Sequence, residues 1–290
     1  MSIAIITRCK DEPYLHEFLN YYFHEGIDHI YIIEDLLCSP KQFKTVLPDP
    51  RITIIRGLKY SNGKELTKVF KKYRNKHKWI ISCDIDEFIC TKRNPTRTIK
   101  EEIEATFENA SCIYVPWVMM AYNQQKRNPD CLLETNVYRW NHDKKHKVKQ
   151  SFPSNIRPYL KGFYLGKFQC LYKSTPHKPI FRAKHFKTLG AHAPHKHRID
   201  KPKKISSLED PKNRQVREQS IATAYFVCYH FRIVSKQHIR MKMKNTSIRG
   251  YDKPISSLIM SKYDFPEIVD TTLKEKSQSR PKLFKPVKLK

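Results

Sequence analysis

The sequence predicts an α/β protein built on a mostly parallel sheet flanked by helices. Three observations carry that expectation. Short runs of β-branched and aliphatic residues recur in the first hundred positions. Segments with apolar residues at helical spacing separate them. The fourth such run, "WIISCD", ends in a cluster of acids, Asp84, Asp86 and Glu87, and ligands gather where the strands of a parallel sheet end.

Taken in order, Ile3 to Thr7 reads as a buried strand. "DEPYLHEFLNYYFHEG" sets Leu15, Phe18, Leu19 and Tyr22 on one helical face, with Pro13 suited to the first turn and Gly26 to the stop. "HIYIIED" is a second strand, a short helix is expected around Pro40 to Val46, and "RITIIRG" is a third strand. "GKELTKVFKKYRNKHK" reads as a basic amphipathic helix leading into "WIISCD", the fourth strand. Alternation at this spacing implies parallel pairing with right-handed crossovers. A helix near Thr98 to Glu108 and the strand "CIYVPWVMM" follow. From Arg139 to Lys204 there are 18 Lys or Arg, and the only acids are Asp143 and Asp200; short strands and long loops are expected there. "ATAYFVCYHFRIVS" is one more buried segment, followed by a helix with Ser235 as its N-cap and Gly250 as its stop. The tail from Arg280 is basic, Pro-interrupted and expected to be mobile. The expected division is one domain over 1–250 and a helical, basic extension over 251–290.

With 290 residues and 39% hydrophobic content the chain can bury a sizeable core. The 56 Lys plus Arg against 28 Asp plus Glu give a formal net charge of +28, which attracts polyanions such as nucleic acid, anionic membrane surfaces or phosphorylated ligands. The eight cysteines are scattered without a C-x-x-C pair, which argues against a zinc ribbon or a disulfide scaffold and for a reducing compartment. No stretch approaches a membrane span, and the apolar N-terminal run is too short for a signal peptide, so a soluble, cytoplasmic protein is expected, with peripheral membrane association open to its basic patches.

Along an extended segment Asp84 and Asp86 would project the same way, and two adjacent carboxylates repel unless a cation bridges them. Oxygen ligands select Mn²⁺ or Mg²⁺, which keep open positions for phosphate oxygens. The bland alternative is a solvated turn or a pair of helix-capping acids. His192, His195 and His197 could form a zinc cluster, but a fourth ligand is wanting. Trp117 and Tyr122 read as core residues, with a sugar platform as the alternative.

"RCKDEPYLHEFLNYYFHEGIDHIYIIED" and "KWIISCDIDEFI" together resemble the start of glycosyltransferases of the GT-A fold, closest to the family-2-like and family-92-like groups. "HKPIFRAKHFKTLGAHAPH" and "CYHFRIVSKQHIRMKMKNTSIRG" continue the resemblance more sparsely, to Gly250. The resemblance implies a metal-dependent transfer of a sugar, with inversion, from a nucleotide-sugar donor to a glycan, glycoconjugate or other hydroxyl acceptor. By it, Thr7, Lys10 and Glu12 would meet the nucleotide and Asp35 the base or ribose. Asp84 and Asp86 would hold Mn²⁺ (or Mg²⁺) with Glu87 nearby. His192 would assist at the metal or diphosphate, and Lys178 and Arg182 would line the cleft. "EDLLCSP" departs from the family's second-strand pattern, which leaves the nucleotide open. No motif fixes the catalytic base; Asp130, Glu134 and Asp143 are candidates by location. The rival classes are a basic nucleic-acid-binding protein, which leaves the strand-end acids unexplained, and a metal-dependent nucleotidyltransferase or nuclease.

Overall fold

The structure is a computed structural model that describes residues 1–35, 38–39, 43, 49–58, 63–144, 146, 177–212, 216–245, 264–278 and 280–285, with the backbone alone for 243–245. The helix expected around Pro40 to Val46 and the stop at Gly250 lie outside these residues.

Strand β1 (Ile3–Cys9) runs parallel to β2 (His29–Glu34) on one side and to β4 (Trp79–Ser82) on the other, and β3 (Ile52–Ile55) extends the sheet parallel to β2. Helices α1 (Leu15–His24) and α2 (Lys64–Tyr73) occupy two of the crossovers. Both faces of this half are covered, which is why its strands read as continuous apolar runs rather than alternating ones. Ile5, Ile30 and Ile81 face Phe18, Leu19 and Tyr22 of α1; Ile6, Ile33 and Ile80 share the opposite core with Leu66, Val69 and Phe70 of α2.

Beyond β4 the sheet becomes mixed. β8 (His177–Arg182) lies antiparallel between β4 and β6 (Cys112–Met119). β12 (Phe226–His230) and β11 (Lys204–Ser206) pair parallel with β6, and β5 (Glu87–Thr91) closes the sheet antiparallel to β12. The nine strands thus form a mixed, mostly parallel α/β sheet, as expected. Two small ribbons flank it: β9 (Phe186–Leu189) with β10 (Pro194–His197), and β7 (Tyr138–Arg139) with β13 (Ile268–Val269).

The remaining helices are α3 (Ile99–Thr106), α4 (Leu132–Thr135), α5 (Glu218–Thr223), α6 (Lys236–Asn245) and α7 (Thr272–Gln278). A capping box of Thr98 and Glu101 starts α3. Ser235 caps α6 as expected, its Oγ accepting from the His238 N–H at 2.9 Å. The tail differs from expectation. Arg280 reaches the buried Glu25 at 2.8 Å, and Phe284 is buried, with its backbone N–H and C=O both bonded to the Asn20 amide. Aromatic burial and a fully paired buried carboxylate hold 280–285 in place, against the mobility that composition implied.

Candidate active site

The carboxyl ends of β1, β4 and β12 and the start of β5 and β8 converge on residues 83–87. The chain there is not extended. The Glu87 N–H donates to the Asp84 carbonyl at 3.1 Å, and the Glu87 carboxylate accepts from the Asp84 N–H at 2.7 Å, closing a turn. Strand alternation therefore does not apply, and Asp84 and Asp86 meet different partners, contrary to the expectation that they project together.

Asp84 accepts from Arg8 at 2.9 Å and from Lys178 at 2.7 Å. Lys178, almost fully buried on β8, also lies 2.9 Å from Glu87. Asp86 accepts from Lys242 of α6 at 2.8 Å and lies 3.9 Å from His230 Nε2 at the end of β12. Arg8 reaches back to Glu65 of α2 at 3.6 Å. Buried charge is thus met by charge, as its desolvation cost demands.

The electrostatics sort the acids. Burial works to raise Asp84 and Asp86, but Lys178 and Arg8 hold the first, and Lys242 the second, below the usual carboxylate range. Burial pushes Glu87 up to about 8 despite the pull of Lys178, and the neighbouring Asp84 and Asp86 add to the shift. Glu12, on the loop after β1, is raised to about 7 by burial, against the pull of Lys242 and with Asp86 and Asp84 repelling it. Burial lowers His230 to about 3, so its imidazole is neutral, and its Nδ1 has no hydrogen-bond partner among the described residues. Asp86, Glu87 and His230 offer donor atoms that all lie within 4.8 Å of one another, and among the described residues no other trio of His, Cys or acids does so. His195 and His197 stand exposed on β10.

Trp117 of β6 forms a wall of this site. Its ring lies 4.3 Å from that of His230 and 5.6 Å from that of His192, with Lys178 Nζ 5.8 Å from its centroid. Tyr122 is a core residue, packed with Ile233 and Ile239. Thr7 is buried on β1, its hydroxyl without a bond among the described residues; Lys10 and Glu12 follow on the loop. Asp35 is buried just past β2, its N–H donating to the Cys9 carbonyl at 3.1 Å. Arg182 is elsewhere: four residues along β8 from Lys178, about 13 Å away, it donates to the carbonyls of Ala110 and Glu108. The three base candidates also lead outward. Asp130 is exposed before α4, Glu134 pairs with Lys282 at 3.1 Å, and Asp143 accepts from the Glu218 N–H at the start of α5.

Arg8, His230 and Lys242 were not assigned roles from sequence. His230 carries a legible signal, since it ends an apolar run as Asp84 does. Lys242 carries none, because no local pattern ties it to an acid 156 residues earlier.

A family model described as "Glycosyltransferase family 92" matches residues 66–277, well over half of the chain. No curated protein matches the sequence. Among solved structures, HddC from Yersinia pseudotuberculosis is similar at a TM-score of 0.39 and 9% identity, over 80% of this chain and 95% of that one. Residues 1–349 of S. aureus TarS in complex with UDP-GlcNAc are similar at a TM-score of 0.36 and 12% identity, over 91% of this chain and 71% of that one.

Proposed function

The chain belongs to glycosyltransferase family 92, and on that premise we propose that it moves a sugar, with inversion, from a nucleotide-sugar donor to a hydroxyl acceptor such as a glycan, aided by Mn²⁺ or Mg²⁺. The observation that carries this reading is the convergence of Asp86, Glu87 and His230 at strand ends. The residues fit a divalent cation: two carboxylates supply hard oxygen donors, and the buried, neutral imidazole, its Nε2 3.9 Å from Asp86, adds a nitrogen that Mn²⁺ accepts. A cation held there would stabilise the negative charge that grows on the departing nucleoside diphosphate.

The chain's own groups do the rest. Lys178 fixes the turn by holding Asp84 and Glu87 together. Lys242 is the cation of this cluster with most access to solvent, its side chain 23% exposed against 15% for Arg8 and 1% for Lys178, so it is the one able to turn from Asp86 to a donor's phosphates. Trp117, half-buried beside His192, offers a face for a sugar ring. For the base, Glu12 joins the candidates given by location, because a carboxyl raised to about 7 accepts a proton effectively near neutrality. Asp130 is the other, since Glu134 and Asp143 already engage Lys282 and the α5 backbone.

The test is nucleoside diphosphate release from a panel of nucleotide sugars, with Mn²⁺ and with EDTA. Release that needs both donor and metal supports the reading; metal-independent release would reject the cation, and no release from any donor would reject the donor class. Comparing pH profiles of Glu12→Gln and Asp130→Asn identifies the base as the variant that loses the acidic limb.

A further inference from the structure

Helix α2 turns Leu66, Val69 and Phe70 inward and leaves Lys68, Lys71 and Lys72 exposed. β9 runs beside it, the Thr67 hydroxyl donating to the Leu189 carbonyl at 2.7 Å and accepting from the Leu189 N–H at 3.1 Å. The ribbon continues the same charge outward through Lys187 and Lys196. At the end of this face away from the carboxylates lies a cleft of about 360 Å³, lined by Lys76, Lys78, Arg182 and Lys184. It shares Asn75 and Lys184 with a second of about 500 Å³ that adds Arg198 and Ile199.

Arg182 is a fixed part of the cleft, since its guanidinium is held by two backbone carbonyls and lies 5.1 Å from the Trp79 ring centroid. Lys78, Lys184 and Arg198 form no ion pair with a carboxylate among the described residues. Asp200, Glu108 and Asp28 are acids near this edge, Glu108 through its carbonyl on Arg182 and Asp28 through its field on His77. Lys72 and Lys76 lie over the Tyr73 ring, and concentrated positive charge with no carboxylate pairing among the described residues repels itself and attracts an anionic surface. The kind of surface follows from what else is exposed. Ile199 is 37% exposed beside the cleft, and the large hydrophobics exposed among the described residues include no aromatic. Single-stranded nucleic acid is gripped by stacking on aromatic faces. A bilayer needs phosphate-binding cations and an aliphatic side chain that can enter the interface.

We propose that the face formed by α2, β9 and β10 docks on an anionic phospholipid bilayer, with headgroup phosphates in the two adjoining clefts that share Lys184, one lined by Lys78 and the other by Arg198, and Ile199 at the membrane interface. Docked this way, the carboxylate site at the other end of β8 stays open to its substrates.

The full chain is sedimented with phosphatidylcholine vesicles, with and without phosphatidylserine, at low and high salt. The expected result is binding that requires phosphatidylserine and falls with salt. The combined substitution Lys71→Glu, Lys72→Glu, Lys184→Glu and Arg198→Glu should weaken it about a hundredfold or more, and Ile199→Ser several-fold, with circular dichroism and nucleoside diphosphate release unchanged. The same four positions changed to Gln give a milder variant, expected to bind between the two. Equal binding to vesicles lacking phosphatidylserine, or full binding by the folded charge variants, overturns the proposal. So does a duplex oligonucleotide that displaces the vesicles and binds more tightly through these four residues, which would assign the face to nucleic acid.

Discussion

Asp84 and Asp86 stand two residues apart and do different work. Asp84 is held by Arg8 and Lys178 at the turn; Asp86 faces His230 and the more accessible Lys242. Replacing Asp86 with Asn should lower nucleoside diphosphate release by about 10²–10³-fold while leaving the fold intact, since in the proposed function Asp86 would hold the cation that stabilises the departing diphosphate. A variant with full turnover would remove Asp86 from the chemistry. Lys178→Met should instead be a stability lesion of about 3 kcal/mol, because it removes the cation beside the buried Glu87 and leaves the half-buried Asp84 with Arg8 alone. Denaturant unfolding measures it, and a loss below about 1 kcal/mol would mean that the acids find other partners. Glu218 gives the pH dependence. Its carboxylate grips Arg139 through two bonds of 2.7 and 2.8 Å. Burial opposes ionisation, but bonds from His142 and Arg139 hold the group down to about 2. A depressed folded-state value means the stability it contributes is present above its ordinary value near 4.5 and lost as pH falls towards 2. Thermal melts of Glu218→Gln should lie below those of the parent at pH 7 and converge with them at low pH. Parallel melting curves across that range would contradict this assignment.

At the scale of elements, the first four strands and two helices were legible because the strands are continuous apolar runs and the helices keep one apolar face. β8 was not. "HKPIFR" carries Pro179, His177, Lys178 and Arg182, and proline with charge argues locally against a central strand. The sheet overrides that preference: Pro179 sits opposite Tyr114, and Lys178 is accommodated because Asp84 and Glu87 await it. The turn at 83–87 was misread for a related reason, since hydrogen bonds between Asp84 and Glu87 decide its shape and apolar patterning does not report them. The docking of 280–285 was hidden because its partners, Asn20 and Glu25, belong to α1 and the residue after it, over 250 residues away. The C-terminal segment extends this tie through α7, where Lys276 reaches Glu25 at 3.1 Å and Thr91. Lys276→Met should cost about 2–4 kcal/mol, with Arg280 limiting the loss. An unchanged unfolding midpoint would show that α7 adds nothing to the domain.

For the whole molecule, charge is divided between two ends of one sheet. The carboxylates sit where parallel strands finish, bound to basic residues from β1, β8 and α6, and exposed lysines spread over α2 and the β9–β10 ribbon. Net charge alone could not reveal that division, because it is a property of topology. The acidic motif and the apolar fourth strand mark the end of the sheet where Asp84, Asp86 and Glu87 gather, while the cations that pair with them come from sequence positions 8, 178 and 242. No described helix is long and apolar enough to cross a membrane. The most direct measurement is a calorimetric titration of Mn²⁺ into the protein in the presence of a nucleoside diphosphate, repeated with Asp86→Asn and His230→Ala. The account predicts one saturable site in the parent that both substitutions abolish. Equal Mn²⁺ affinity in all three proteins would contradict it.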